Sequence, residues 1–125
     1  MQTRVGQLNG NCFEACIASL LEIPLHSVPD FPRDEAPFIL AVQQFLREYG
    51  LFYIQTPIDD LAIAPAFASG FTWHTMEGIS ERGGNHACVG LNGKLVHDPH
   101  PGGRGLVEIN CFGFLVSRMG GALCR

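Results

Sequence analysis

The spacing of apolar positions changes once along this chain, from a helical period in the first 50 residues to a strand period afterwards. Ala15, Cys16, Ile17, Ala18, Leu20 and Leu21 recur as one helical face. Just before them Asn11 is a good N-cap, and Glu14 three residues later completes a capping-box signature, which starts the first helix at Cys12. Pro24 and the Ser27-Val28-Pro29-Asp30 stretch end it, while Pro32 and Pro37 keep the following segment from being helical throughout. A second helix is predicted over 35–49, where Phe38, Leu40, Ala41, Val42, Phe45, Leu46 and Tyr49 share a face and Gly50 supplies the stop.

From Leu51 onward the pattern is that of strands. Residues 51–55 read as a short strand, 56–69 as a Pro- and Ala-containing connection, 71–79 as a strand, 81–85 as a Gly-rich turn and 86–91 as a further strand. Asn92-Gly93 is a hairpin signal leading into 94–98. A Pro- and Gly-rich loop over 99–105 then precedes a strand pair or one long strand over 106–118. Helices first and an antiparallel sheet afterwards make an α+β architecture. It is expected as a single domain over 1–125, helical over about 11–50 and sheet over about 51–125.

Bulk properties narrow the function classes. With 46% hydrophobic residues, 125 residues can close one core and not two ordinary ones. Eight Lys and Arg against twelve Asp and Glu give a net charge of −4, and no two cations are adjacent. Nucleic-acid binding is disfavoured, because it needs clustered cations to release counterions. No apolar run approaches bilayer length and the polar start is no secretory signal, so a soluble, cytoplasmic protein without membrane partners is expected. Cys12, Cys16, Cys88, Cys111 and Cys124 are an odd set without a CxxC pair, which fits reduced thiols better than a disulfide framework.

One of those thiols has a context that predicts chemistry. A thiol attacks as its thiolate, and the unpaired amides and macrodipole at a helix start favour that charge. Cys12 stands at the first helical position, whereas Cys16, Cys88, Cys111 and Cys124 read as core residues. A base and a group to orient it are also needed. His86 opens an apolar strand, and Asp98 ends the strand that follows. With a three-residue loop at Leu91-Asn92-Gly93, Asp98 shares the face of His86; with a two-residue Asn92-Gly93 turn the register moves by one and His97 takes that place. Gln7, five residues before Cys12, can bring a side-chain amide to an oxyanion beside the Cys12 backbone amide. Asn11 is the other candidate for a substrate-facing amide, with capping competing for its side chain. Trp73 and His74 are candidates for the wall of a substrate cleft.

Gln7-Leu-Asn-Gly-Asn-Cys12-Phe-Glu-Ala-Cys16, then His86-Ala-Cys-Val-Gly, then Val96-His97-Asp98-Pro99, resembles the papain-like cysteine peptidases, most closely the compact bacteriocin-leader-processing branch known as C39. The motifs cover about a quarter of the chain. The run 11–25 and the Val-His-Asp-Pro-His-Pro segment over 96–101 are similar to small proteins of bacteriophages and bacteria. The resemblance implies a papain-like fold in which Gln7 is the oxyanion donor, Cys12 the nucleophile, His86 the base and Asp98 its orienter, with no cofactor and no metal. Phe13 stands where that branch has Gly after the nucleophile, and no transporter domain accompanies the motifs, so export is not implied. The NlpC/P60 cell-wall hydrolases offer a related Cys-His arrangement whose third residue is often His, the place His97 would fill.

The expected activity is therefore thiolate attack on an amide or peptide carbonyl, as in a peptidase, isopeptidase or deamidase. The competing expectation is a catalytically idle scaffold that binds a small metabolite or a host protein, for example as a phage counter-defence factor. A weaker alternative is zinc held by Cys12, His97, Asp98 and His100, whose spacing matches no well-defined zinc pattern. Arg104, in a flexible Pro-Gly loop, reads as a solvated cation.

Overall fold

Two helices lead into a five-stranded antiparallel sheet, in the α+β order expected. The computed structural model describes residues 10–57 and 72–118, so Gln7, most of the connection 56–69, Phe71 and Cys124 lie outside the described residues. Helix α1 spans Cys12–Leu21 and α2 spans Glu35–Arg47, with a short 3-10 turn at Leu25–Ser27 between them. The strands are β1 (Leu51–Pro57), β2 (Trp73–Ser80), β3 (Asn85–Leu91), β4 (Lys94–His97) and β5 (Leu106–Ser117). Their order across the sheet is β1-β5-β2-β3-β4, and every neighbouring pair is antiparallel. The segment after the Pro-Gly loop is one long strand rather than a pair: β5 runs between β1 and β2 and bonds to both.

Helix ends differ from expectation in instructive ways. Asn11 precedes α1 without a side-chain cap to it. Its presumed capping-box partner, Glu14, is instead turned inward, 1% exposed, where it accepts the Phe31 amide at 2.9 Å and pairs with Arg33 at 3.3 Å. At the other end α1 stops before Pro24, because Glu22 adopts a left-handed conformation (φ 57°) and the Ile23 amide reaches back to the Ala18 carbonyl at 3.0 Å. Helix α2 closes two residues short of the expected Tyr49. The Tyr49 and Gly50 amides bond to Leu46 and Arg47, and Gly50 takes the positive φ (71°) that lets the chain turn into β1.

The main core lies between the helices and one face of the sheet. Cys16, Ile17, Val42 and Leu46 are fully enclosed there, against Ala87 and Val89 of β3 and Tyr53 of β1. Phe13 is the hub of its aromatic part, edge-on to Phe38 (5.0 Å between centroids), Tyr53 (5.5 Å) and Phe31 (6.0 Å). Such pairs contribute about 0.5–1.5 kcal/mol each beyond the area they bury. Gln43 fastens α2 to the sheet, giving its amide to the Tyr53 carbonyl (2.8 Å) and accepting the Tyr53 amide (2.9 Å). A second, smaller cluster of Met76 and Phe112, with Leu106, Ile109 and Phe114, marks the opposite face.

Gly113 of β5 permits a close approach in the sheet: a methyl group there would collide with the Tyr53 hydroxyl and the Thr75 side chain. Gly113→Ala is therefore expected to lower the unfolding free energy by about 1–3 kcal/mol, as overpacking of a filled site does. Urea denaturation measures it, and a change under about 0.5 kcal/mol, the size of an ordinary surface substitution, contradicts the packing described.

Candidate functional site

The β3–β4 hairpin decides which residue meets His86, and it does so in a way neither expected register contained. The turn is the two-residue one: Leu91 pairs with Lys94, and Asn92 and Gly93 both carry positive φ (52° and 86°). Gly90 then pairs with Leu95, but Val89 pairs with His97, so Val96 is an extra residue and the register slips by one. After that slip His97 shares the face of Val89, and Asp98 falls on the face of Cys88 and His86. The two-residue turn alone would have aligned His97; the irregularity at Val96 restores Asp98.

Asp98 is held from all sides. His86 donates from Nε2 to Oδ1 at 2.6 Å, the His100 amide donates to the same oxygen at 2.8 Å, and the Gly105 amide donates to Oδ2 at 2.6 Å. The loop over 99–105 thus wraps the carboxylate, which together with its histidine is only 3% exposed. Burial pushes the Asp98 carboxyl up, but the hydrogen bond from His86, the two amides and the His86 charge outweigh it and bring it below the usual carboxylate range. Cys88, two residues after His86 and fully buried, also lies beside Asp98. Burial and that carboxylate push its pKa up to about 12. His86, Cys88 and Asp98 therefore form a buried cluster whose ligand-type atoms lie within 4.8 Å of one another. Sequence reasoning read Cys88 simply as core; strand alternation from His86 was the signal that placed it on the same face.

Cys12 arrives from the helix. α1 packs on β3, and the backbone amide of Ala87, the residue after His86, comes near enough to the Cys12 thiol to pull its pKa down. Among the described residues the His86 ring makes its hydrogen bond through Nε2, which leaves Nδ1 as the free ring nitrogen. Cys12 and His86 line one cleft of about 430 Å³, together with Phe13, Arg33, Glu77 and Asn110. The resting thiol is not depressed as a helix start predicts. Burial raises its pKa and the Glu14 charge adds to that, while the Ala87 and Phe13 amides and the Arg33 charge pull the other way without prevailing. Arg33 also donates to the Gly10 carbonyl, so one guanidinium ties the start of α1 to the segment ahead of α2.

The remaining candidates are dispersed. Gln7 lies outside the described residues. Asn11 is buried and lines a different cleft, with Leu25, His26 and Pro29. Trp73 is exposed on a third, which His97 and Val96 also line. His74 is fully buried against Phe112 and Phe114; it donates from Nδ1 to the Thr75 carbonyl at 2.9 Å and accepts the Gly93 amide on Nε2 at 2.9 Å. It anchors the hairpin turn. Of the residues weighed for zinc, His97 stands with Trp73 and His100 accepts the Gly102 amide on Nδ1, so neither joins Cys12. Arg104, read as solvated, is exposed and pairs with the equally exposed Glu81 at 3.0 Å.

No family model matches the chain, and no curated protein or solved structure matches it.

Two outcomes test this geometry. Inserting one alanine between Val96 and His97 brings His97 opposite Cys88 and removes Asp98 from His86, with an expected cost of about 3–5 kcal/mol for breaking a buried pair. Deleting Val96 removes only the extra residue and is expected to stay within about 1 kcal/mol of the parent. Equal losses by chemical denaturation would contradict the assigned register. The second outcome concerns acid. A carboxyl whose folded pKa is depressed contributes stability that is full above the unfolded value, near 4, and is lost as pH falls through the folded value. Stability is therefore expected to fall more steeply below about pH 4 in the parent than in Asp98→Asn; parallel curves contradict the assigned role of Asp98.

Proposed function

We propose that this chain is a papain-like cysteine hydrolase, cytoplasmic, in which Cys12 attacks an amide or peptide carbonyl and His86, oriented by Asp98, moves the proton. The observation that supports the reading is that Cys12, carried by α1 onto β3, and His86 line one cleft. With Nε2–H given to Asp98, the imidazole has an unprotonated Nδ1 to accept the thiol proton. As that proton leaves, the sulfur–carbon bond forms and the carbonyl π pair moves onto oxygen. The Cys12 backbone amide and the Gln7 side chain are the donors assigned to that oxygen. Collapse expels the amine, which takes the proton from His86, and leaves a thioester. Water then attacks the thioester while Nδ1 takes its proton, and the proton returns to sulfur as the acid departs.

The raised resting pKa of Cys12 shapes this mechanism. A thiol held up by burial and Glu14 is deprotonated by its base as attack proceeds rather than stored as an ion pair. The same feature is what favours the alternative, an idle scaffold that binds a metabolite or host protein. A metal reading of the buried cluster has less support: the Asp98 oxygens already take hydrogen bonds from His86, His100 and Gly105, and the Cys88 thiolate a cation would need is opposed by burial and by Asp98 itself.

A thiol-directed acyl electrophile is expected to label Cys12 selectively at neutral pH, located by mass spectrometry. His86→Ala should slow labelling by about 10²- to 10⁴-fold at pH 7 and shift the remaining rate to pH above 9, where the unassisted thiol ionises. Slow, equal labelling of all accessible thiols, unchanged by His86→Ala, contradicts the hydrolase and leaves the binding scaffold.

A further inference from the structure

Glu77 is the one acidic group of the Cys12 cleft that the sheet builds in place. It stands on β2 opposite Ala87, and its carboxylate lines the cleft that Cys12 and His86 line. Thr75 donates to Oε2 at 2.9 Å, Gln55 to Oε1 at 3.1 Å, and the Tyr53 hydroxyl to Oε2. Burial pushes the Glu77 carboxyl above its usual range, and these neutral donors work against that shift in favour of the carboxylate. Among the described residues Glu77 has no ion-pair partner. Of the other charged groups on the cleft, Arg33 is engaged with Glu14 and the Gly10 carbonyl, while Glu35 is exposed and adds a second negative charge. The cleft thus holds an acidic side chain that pairs with no cation of the described residues, and Phe13 and Phe38 line the same cleft.

We infer that Glu77 is a specificity-determining residue, selecting substrates that carry a cationic side chain, of the lysine or arginine type, next to the carbonyl that Cys12 attacks. The apolar stem of such a side chain packs on the phenylalanine rings while its charged end completes the ion pair that Glu77 lacks within the chain. The inference rests on the cysteine-hydrolase reading and adds the substrate class to it. Glu77 touches substrate and leaves the bond-making to Cys12 and His86.

The test uses the full chain and short peptidyl fluoromethyl ketones that differ only in one side chain, lysine, norleucine or glutamate, placed in turn at each of the two residues nearest the ketone. The rate of Cys12 labelling is read by mass spectrometry. At one of the two positions the lysine probe is expected to react about tenfold or more faster than norleucine, the yield of one charge-assisted contact, and the glutamate probe slower than either. Glu77→Gln should bring the lysine and norleucine rates within about twofold of each other. In the parent, the lysine-to-norleucine ratio should also shrink with added salt, a measurement that needs no variant. Equal lysine and norleucine rates in the parent, or a lysine preference that survives Glu77→Gln, overturns the inference while leaving the hydrolase intact. A loss of all three rates in equal proportion makes Glu77 a structural residue and also overturns it. No Cys12 labelling by any probe overturns the hydrolase reading and this inference with it.

Discussion

A buried hydrogen bond of 2.6 Å between His86 and Asp98 is the constraint around which this molecule is arranged. An imidazole and a carboxylate taken out of water together are tolerated only when the remaining lone pairs find donors. Here the amides of His100 and Gly105 supply them, so the loop over 99–105, which looks like an unstructured Pro-Gly connection in the sequence, serves as the wrapping of a charge. The hairpin has to deliver Asp98 to that spot, and His74, packed against Phe112 and Phe114, pins its turn through the Gly93 amide. The helix then has only to lay Cys12 against Ala87 for sulfur and ring to share a cleft.

Much of the architecture could be read from residue order. The change of period near residue 50, the Asn92-Gly93 turn and the Gly50 stop correspond to α1, α2, the β3–β4 hairpin and the entry to β1. Local signals of this kind report on backbone that is shaped by its own residues. The failures came where a distant partner won. Glu14 has the spacing of a capping box, yet the Phe31 amide and Arg33 draw it inward.

The candidate site was legible to the same depth. Cys12, His86 and Asp98 each stand out by chemistry and position, and the structure brings His86 and Asp98 into contact and Cys12 into one cleft with His86. What no reading of the turn could supply is the slip at Val96, because a β-bulge is chosen by the fit of two strands and not by the residue that is extruded. Trp73, His74 and Asn11 were plausible as cleft residues by type alone. Types do not say which side of a sheet a residue faces, and these three belong to other surfaces or to the interior. Phe13 shows the reverse case: in place of a small residue beside the thiol, it is the ring on which Phe31, Phe38 and Tyr53 converge, and so it joins the wall of the cleft to the core.

The state of the His86 ring is where the account can be tested most directly. Nitrogen-15 NMR of the imidazole should find a proton on Nε2, strongly deshielded by its short bond to Asp98; in Asp98→Asn that deshielding should vanish. A ring protonated on Nδ1 alone, or one whose spectrum ignores the loss of Asp98, would contradict the arrangement on which the site is built.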